Sequence, residues 1–181
     1  MTKFVKDLCD SFSLSLTRLG VIRYDSEAEI ALPLTHFPDI LSRDMAIDNI
    51  FYKTGGTRTD VALAKCIEML HTVERRKASQ VLIVVTDGPS NKLEINRNNF
   101  VEGKDLVHAP AELLKEEGVA IFGVGIEPDS QTPKEREEMK TELEVIASEP
   151  VKSHIFIADG YRQLQRRVSD VSKAACVGMY V

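Results

Sequence analysis

The sequence predicts an α/β fold, a Rossmann-like three-layer sandwich on a mainly parallel sheet with one antiparallel edge strand. Three observations predict it. Val81-Leu-Ile-Val-Val85 and Val119-Ala-Ile-Phe-Gly-Val124 are continuous apolar runs of strand length, the pattern of strands buried on both faces. A segment with apolar residues at helical spacing precedes each of them. Two further strand-like runs near the start are separated by the short turn Asp25-Ser26-Glu27, which makes them an antiparallel hairpin.

Taken in order, Phe4, Val5, Leu8 and Phe12 recur at helical spacing and predict a helix over the first dozen residues. The hairpin strands are Leu19 to Tyr24 and Ala28 to Leu34. Ile40 to Asn49 reads as a helix with Leu41, Met45 and Ile50 on its apolar side. Lys53-Thr-Gly-Gly-Thr57 is a loop. Ala62, Leu63, Cys66, Ile67, Met69, Leu70 and Val73 then fall on one face of a long helix. A helix near Ala109 to Glu117 is stopped by Gly118. Glu135 to Ala147 is helical, Ser153 to Ile157 is a short strand, and Tyr161 to Ala175 is a closing helix. In open α/β sheets ligands bind beyond the C-terminal ends of the strands. The places to look are therefore just after Val85 and just after Val124.

At 181 residues the chain suits a single domain, spanning 1–181, with a sizeable core. A net charge of −5 disfavours a nucleic-acid partner. The densest basic patches, Arg75-Arg76-Lys77 and Arg162 to Arg167, read as solvated charge at helix ends. No apolar run reaches the roughly 18 to 20 residues of a membrane span. The charged start Met-Thr-Lys-Phe-Val-Lys-Asp lacks the apolar centre of a secretory signal. Three cysteines, Cys9, Cys66 and Cys176, are too few and too scattered for a metal knuckle or a disulfide scaffold.

Two segments hold candidate site residues. Asp87, in Thr86-Asp87-Gly88, follows the most hydrophobic strand. Its carboxylate is either metal-linked or a turn residue capping the backbone before Gly88. Gly55-Gly-Thr-Arg-Thr-Asp60 opens the long helix, where a threonine hydroxyl either points at an ion or caps the helix. Other signals fail. Gly123-Val-Gly125 lacks the third glycine of a dinucleotide fingerprint, and no phosphate loop is present. His36, His71, His108 and His154 show no ligand spacing and read as structural or solvated. Ser11, Ser13 and Ser15 have no nucleophile-elbow context. No catalytic constellation emerges, so the chain is not expected to be an enzyme.

Several segments, in order, resemble the von Willebrand factor A family along nearly the whole chain. Phe4-Val-Lys-Asp-Leu and Leu19-Gly-Val-Ile-Arg-Tyr-Asp-Ser-Glu are similar to that family's first helix and second strand. Ala46-Ile-Asp-Asn-Ile and Gly55-Gly-Thr-Arg-Thr-Asp-Val-Ala-Leu resemble the segment running into its third helix, and Val81-Leu-Ile-Val-Val-Thr-Asp-Gly its central fourth strand. Gly118-Val-Ala-Ile-Phe-Gly-Val-Gly-Ile, Leu143-Glu-Val-Ile-Ala-Ser-Glu-Pro and His154-Ile-Phe complete the order. The wording looks most like the extracellular branch found in matrix proteins such as collagens and matrilins.

The resemblance implies a protein-binding adhesion module, extracellular in its full-length parent, that meets a matrix or cell-surface protein at the sheet rim. It also implies a divalent ion, usually Mg²⁺, held by a D-x-S-x-S motif after the first strand, a threonine and an aspartate. Thr57 and Asp87 occupy the last two roles. No D-x-S-x-S occurs in this chain; Asp10-Ser-Phe-Ser comes nearest. The chain begins at the family's first helix, so an N-terminally truncated domain with two of five metal ligands is expected. Mg²⁺ binding is then expected to be weak or absent. In the family the first strand sits mid-sheet, so ladder groups on both of its neighbours are expected to be exposed. Cys176 resembles a family cysteine that pairs with one before the first strand. The alternative is an intracellular, metal-independent scaffold of the same fold in a protein complex.

Overall fold

The computed structural model describes residues 1–51, 53–72, 78–97 and 99–178. The expected Val73 and the basic patch Arg75 to Lys77 lie outside them. Helix α1 (Thr2–Cys9) buries Phe4 and Leu8. The hairpin follows as predicted, with β1 (Leu19–Tyr24) antiparallel to β2 (Ala28–Thr35).

Helix α2 (Ile40–Asp48) is capped by Asp39, whose side chain accepts from the Ser42 amide at 2.7 Å. Its buried side is the reverse of the expected one. Leu41 and Met45 are 70% and 57% exposed, whereas Arg43 and Ile47 face inward. Two i, i+4 pairs competed for the core face. The inward Arg43 is tolerated because Asp10 at 2.6 Å and Asp44 at 2.7 Å answer its guanidinium.

Helix α3 (Thr59–His71) buries Ala62, Leu63, Cys66 and Met69, much of the predicted face. Strands β3 (Gln80–Thr86), β6 (Val119–Ile126) and β7 (Ile155–Ala158) run parallel in the order β3-β6-β7. Between β3 and helix α4 (Gly103–Glu116) lies an unpredicted hairpin, β4 (Leu93–Asn96) with β5 (Asn99–Val101). Helix α4 begins six residues before the expected Ala109 and runs through Pro110. Pro110 reads as a first-turn residue in sequence, but burial of Val107, Ala111 and Leu114 on one face carries the helix past it.

Helix α5 (Pro133–Ile146) opens with a capping box between Thr132 and Glu135. A single turn, α6 (Val151–His154), takes the first two residues of the expected strand, and β7 starts at Ile155. The closing helix is broken into α7 (Tyr161–Leu164), a 3-10 turn (Gln165–Arg167) and α8 (Val168–Gly178).

Two apolar clusters sandwich the parallel strands and make the three layers. One joins Leu63 and Cys66 of α3 to Val107, Ala111 and Leu114 of α4 and Ile121 of β6. The other joins Phe4 and Leu8 of α1 to Val124, Ile126, Leu164 and Val171. The sheet itself is divided. Among the described residues, β1-β2 and β3-β6-β7 are separate hydrogen-bonded sheets.

Candidate functional site

Three loops meet at the C-terminal ends of β1 and β3. The turn after β1 is closed by its own aspartate, with the Glu27 amide donating to Asp25 Oδ1 at 3.0 Å. It is tied to the Gly55–Thr57 loop by the Arg58 amide on the Asp25 carbonyl, 2.8 Å, and the Gly56 amide on Ser26 Oγ, 2.8 Å. The loop after β3 holds the other side. The Asn91 amide donates to the Thr57 carbonyl at 2.7 Å, and Asn91 Oδ1 accepts from the Thr57 amide. Close approach explains the paired glycines. A Cβ on Gly55 would lie 2.9 Å from Asp25 Cβ, and one on Gly56 would overlap Asn91 Oδ1.

The helix-capping reading of the threonine segment fails. Helix α3 is preceded by Arg58 and has no side-chain cap. Thr57 instead belongs to the loop lattice, and Asp60 pairs with Arg58 at 2.7 Å. Burial alone would raise the Asp60 carboxyl, but the Arg58 guanidinium and the backbone amides of Asp60 and Val61 together outweigh it and hold it low. The turn reading of Asp87 also fails as stated, because Thr86 Oγ1 makes the turn contacts to Gly88. The Asp87 carboxylate is exposed and accepts from the Tyr161 hydroxyl, while Gln131 Nε2 donates to its carbonyl at 3.0 Å.

Beneath the rim lies a buried polar network that the sequence reading missed. Glu142 of α5 is buried, and its carboxylate accepts from the Ser90 amide at 2.8 Å and the Ser90 hydroxyl at 2.6 Å. The Ser90 and Thr59 hydroxyls are 2.8 Å apart. Gly103 at the start of α4 leaves room for this pair, since a Cβ there would stand 2.8 Å from Glu142 Oε2. The carboxylate thus also lies by the N-terminus of α4. A signal existed: Glu142 interrupts the apolar stripe Met139, Leu143, Ile146 of α5. Tyr24 was missed as well. Its hydroxyl donates to the Val85 carbonyl at 3.1 Å, and burial pushes the phenol up to about 12.

These residues do not by themselves fit a divalent cation. Mg²⁺ demands an octahedral set of hard oxygens. Here the Asp87 carboxylate is engaged by a phenol, and Ser90, Thr59 and Glu142 satisfy one another. Among the described residues no group of three or more His, Cys, Asp or Glu could hold a metal. Burial pushes the Cys9 and Cys66 thiols up to about 11, away from nucleophilic thiolate, and all three cysteines are free. His71 pairs with Glu117 at 2.9 Å, and His154 stacks on Phe122 with ring centroids 4.5 Å apart. In the second basic patch, Arg167 donates to the Ile157 carbonyl at 2.9 Å and pairs with Asp170 at 3.3 Å. No described helix is long and apolar enough to cross a membrane.

A family profile described as the von Willebrand factor type A domain matches residues 1–170. The chain is 28% identical over 179 residues to vitrin of Mus musculus, covering 96% of this chain and 24% of that protein. It is 28% identical over 180 residues to matrilin-1 of Homo sapiens, covering 97% and 32% respectively. The chain thus spans a third or less of these relatives. Proximal thread matrix protein 1 of the mussel byssus superposes with a TM-score of 0.76 at 25% identity, over 97% of this chain and 41% of that one. A further structure of that protein has a zinc-occupied MIDAS motif, with a TM-score of 0.76, 24% identity, and 97% and 42% coverage. The chain therefore belongs to the von Willebrand factor type A domain family.

Proposed function

We propose that this chain is a single, non-enzymatic adhesion domain whose rim binds a matrix or cell-surface protein outside the cell. Thr57 and Asp87 take part, the first through the loop it anchors and the second through its exposed carboxylate. The observation that carries the reading is the cross-tied rim, where three loops are held by backbone bonds before any partner arrives. Preorganisation of that kind lowers the ordering cost of binding. The hairpin β4-β5 continues from Asn91 and exposes Leu93, Ile95 and Phe100, which supply the apolar anchors a protein interface needs.

The mussel protein's zinc-occupied motif supports a metal site in the family's rim. Thr57 and Asp87 are the residues of this chain that would join such a site. With the donors described above, this chain binds its partner without a tightly held Mg²⁺.

The test is capture of solubilised matrix proteins on the immobilised domain. Asp87→Ala and Phe100→Ser should each cut capture about tenfold, whereas Leu41→Ser on the far helix should not. Chelation with EDTA should leave capture unchanged. Full capture by both rim variants would overturn the assignment of this surface, and loss on chelation would overturn its metal independence.

A further inference from the structure

Helix α2 is turned against its own sequence. Ile40, Leu41 and Met45 are each more than half exposed, while Arg43 is buried. The carboxylates of Asp10, at the end of α1, and Asp44 answer its guanidinium. A buried ion pair often contributes less to stability than well-packed apolar side chains of similar volume. A helix that holds its apolar side in water and an arginine in the core breaks the agreement between local pattern and fold, and such breaks concentrate at functional sites. An exposed apolar patch rimmed by polar groups marks a protein contact surface.

The charges around this face decide what fits it. Residues three and four apart are neighbours on a helix, so Leu41, Asp44, Met45 and Asp48 form one continuous surface. The other flank carries Ser42 and Asn49, both uncharged. On α2, its cap and their ion-pair partners, the carboxylates of Asp10, Asp39, Asp44 and Asp48 face only Lys6 and Arg43. Arg43 lies inside, and Asp10 and Asp48 keep more than half of their side-chain surface in water. The face is therefore apolar along its middle and acidic along one side. A second copy fits it poorly. Two-fold antiparallel packing would set the acidic flank against itself, and a chain of net charge −5 repels its like.

We infer that the outward face of α2 docks an amphipathic helix of a protein other than the partner at the rim. That helix carries apolar residues at helical spacing and a row of lysine or arginine beside them. Leu41 and Met45 take its apolar side, with Ile40 at the N-terminal end, and Asp44 and Asp48 meet its basic row. Charge complementarity sets which helix is accepted, and the apolar contact holds it.

The probe is a lactam-stapled helical peptide with leucines at i, i+3, i+4 and i+7 and lysines on their flank, titrated into the intact 181-residue chain. Saturation should slow amide hydrogen exchange within Ile40–Asp48 by about tenfold. The same peptide with glutamate for every lysine should bind at least about tenfold more weakly, and Asp48→Lys should narrow that gap. Leu41→Ser combined with Met45→Ser should weaken the lysine peptide about tenfold. Both positions face water, so this double variant should melt with the parent. Asp87→Ala and Phe100→Ser should bind the peptide as the parent does, which separates this result from failure of the rim reading. Absence of saturable binding, equal affinity for the two peptides, or full binding by the double variant would overturn the proposal. So would a sedimenting dimer that protects α2, because the occupant would then be a second copy.

Discussion

Strands β3 and β6 are neighbours with similar apolar runs and different surroundings. Strand β6 pairs with β3 from Val119 to Gly125 and with β7 from Gly123 to Ile126, and all of it is buried except Ala120. Strand β3 is paired on one edge, and only Val84 and Thr86 are buried. Its sequence, Gln-Val-Leu-Ile-Val-Val-Thr, is as suited to a sheet centre as that of β6. Composition therefore states what a strand can bury, and its neighbours decide what it does bury.

The comparison can be broken by the same truncation in both strands. Ile121→Ala, at a fully buried position of β6, should cost about 3–4 kcal/mol in denaturant unfolding. Ile83→Ala should cost roughly half of that, because its site is already open to water. Equal losses would mean that β3 is as enclosed as β6 and that the division of the sheet is closed in solution.

Next in size is the tie between the halves of the site. Glu142→Ala should cost about 2–3 kcal/mol by leaving the Ser90 amide and hydroxyl without their acceptor in a buried place. Glu142→Gln keeps the shape and an acceptor oxygen, and should recover part of the loss. If both variants match the parent in thermal melts, the network is not a support of the rim.

Smaller effects test the bridge across the divided sheet. Tyr24→Phe should cost about 1 kcal/mol near neutral pH, by removing the donor to the Val85 carbonyl. Alkali adds a second reading. Unfolded thiols ionise near 9.0 and an unfolded phenol near 10.0, while burial holds Cys9 and Cys66 near about 11 and Tyr24 near about 12. A group whose folded value is raised favours folding below its unfolded value and loses that contribution above it. The contribution of these three groups is thus flat up to about pH 9 and falls between there and about 12, and Tyr24→Phe should make the upper part of the fall shallower. An unchanged slope in the variant would place the phenol in water. Least of all, Met45→Ser on the outward side of α2 should shift stability by no more than about 0.5 kcal/mol.

Much of this was legible in the residues. The β-branched runs located β3 and β6, the turn Asp25-Ser26-Glu27 located the hairpin, and the stripe from Ala62 to Leu70 located the core side of α3. Thr57 and Asp87 were placed by likeness to a family whose third-helix loop and fourth strand end in those residue types.

The residues behind the rim were less legible because their roles depend on partners distant in sequence. Glu142 meets Ser90 fifty-two positions away, and Tyr24 meets Val85 sixty-one positions away. The hairpin β4-β5 escaped notice because Leu93, Ile95 and Phe100 are separated by polar residues and bury little. On α2, the side read as apolar from Leu41 and Met45 faces outward, and Arg43 turns inward because Asp10, from the end of α1, comes within 2.6 Å of it.

Periodicity by itself determined the principal strands and helices, the hairpin β4-β5 and the single turn α6 apart, since side-chain direction repeats at 2.0 and 3.6 residues whatever the fold. Which edge of a strand is paired, and which buried carboxylate is answered, only the tertiary structure decided. Both depend on groups brought together through space, and those contacts leave no period in the chain.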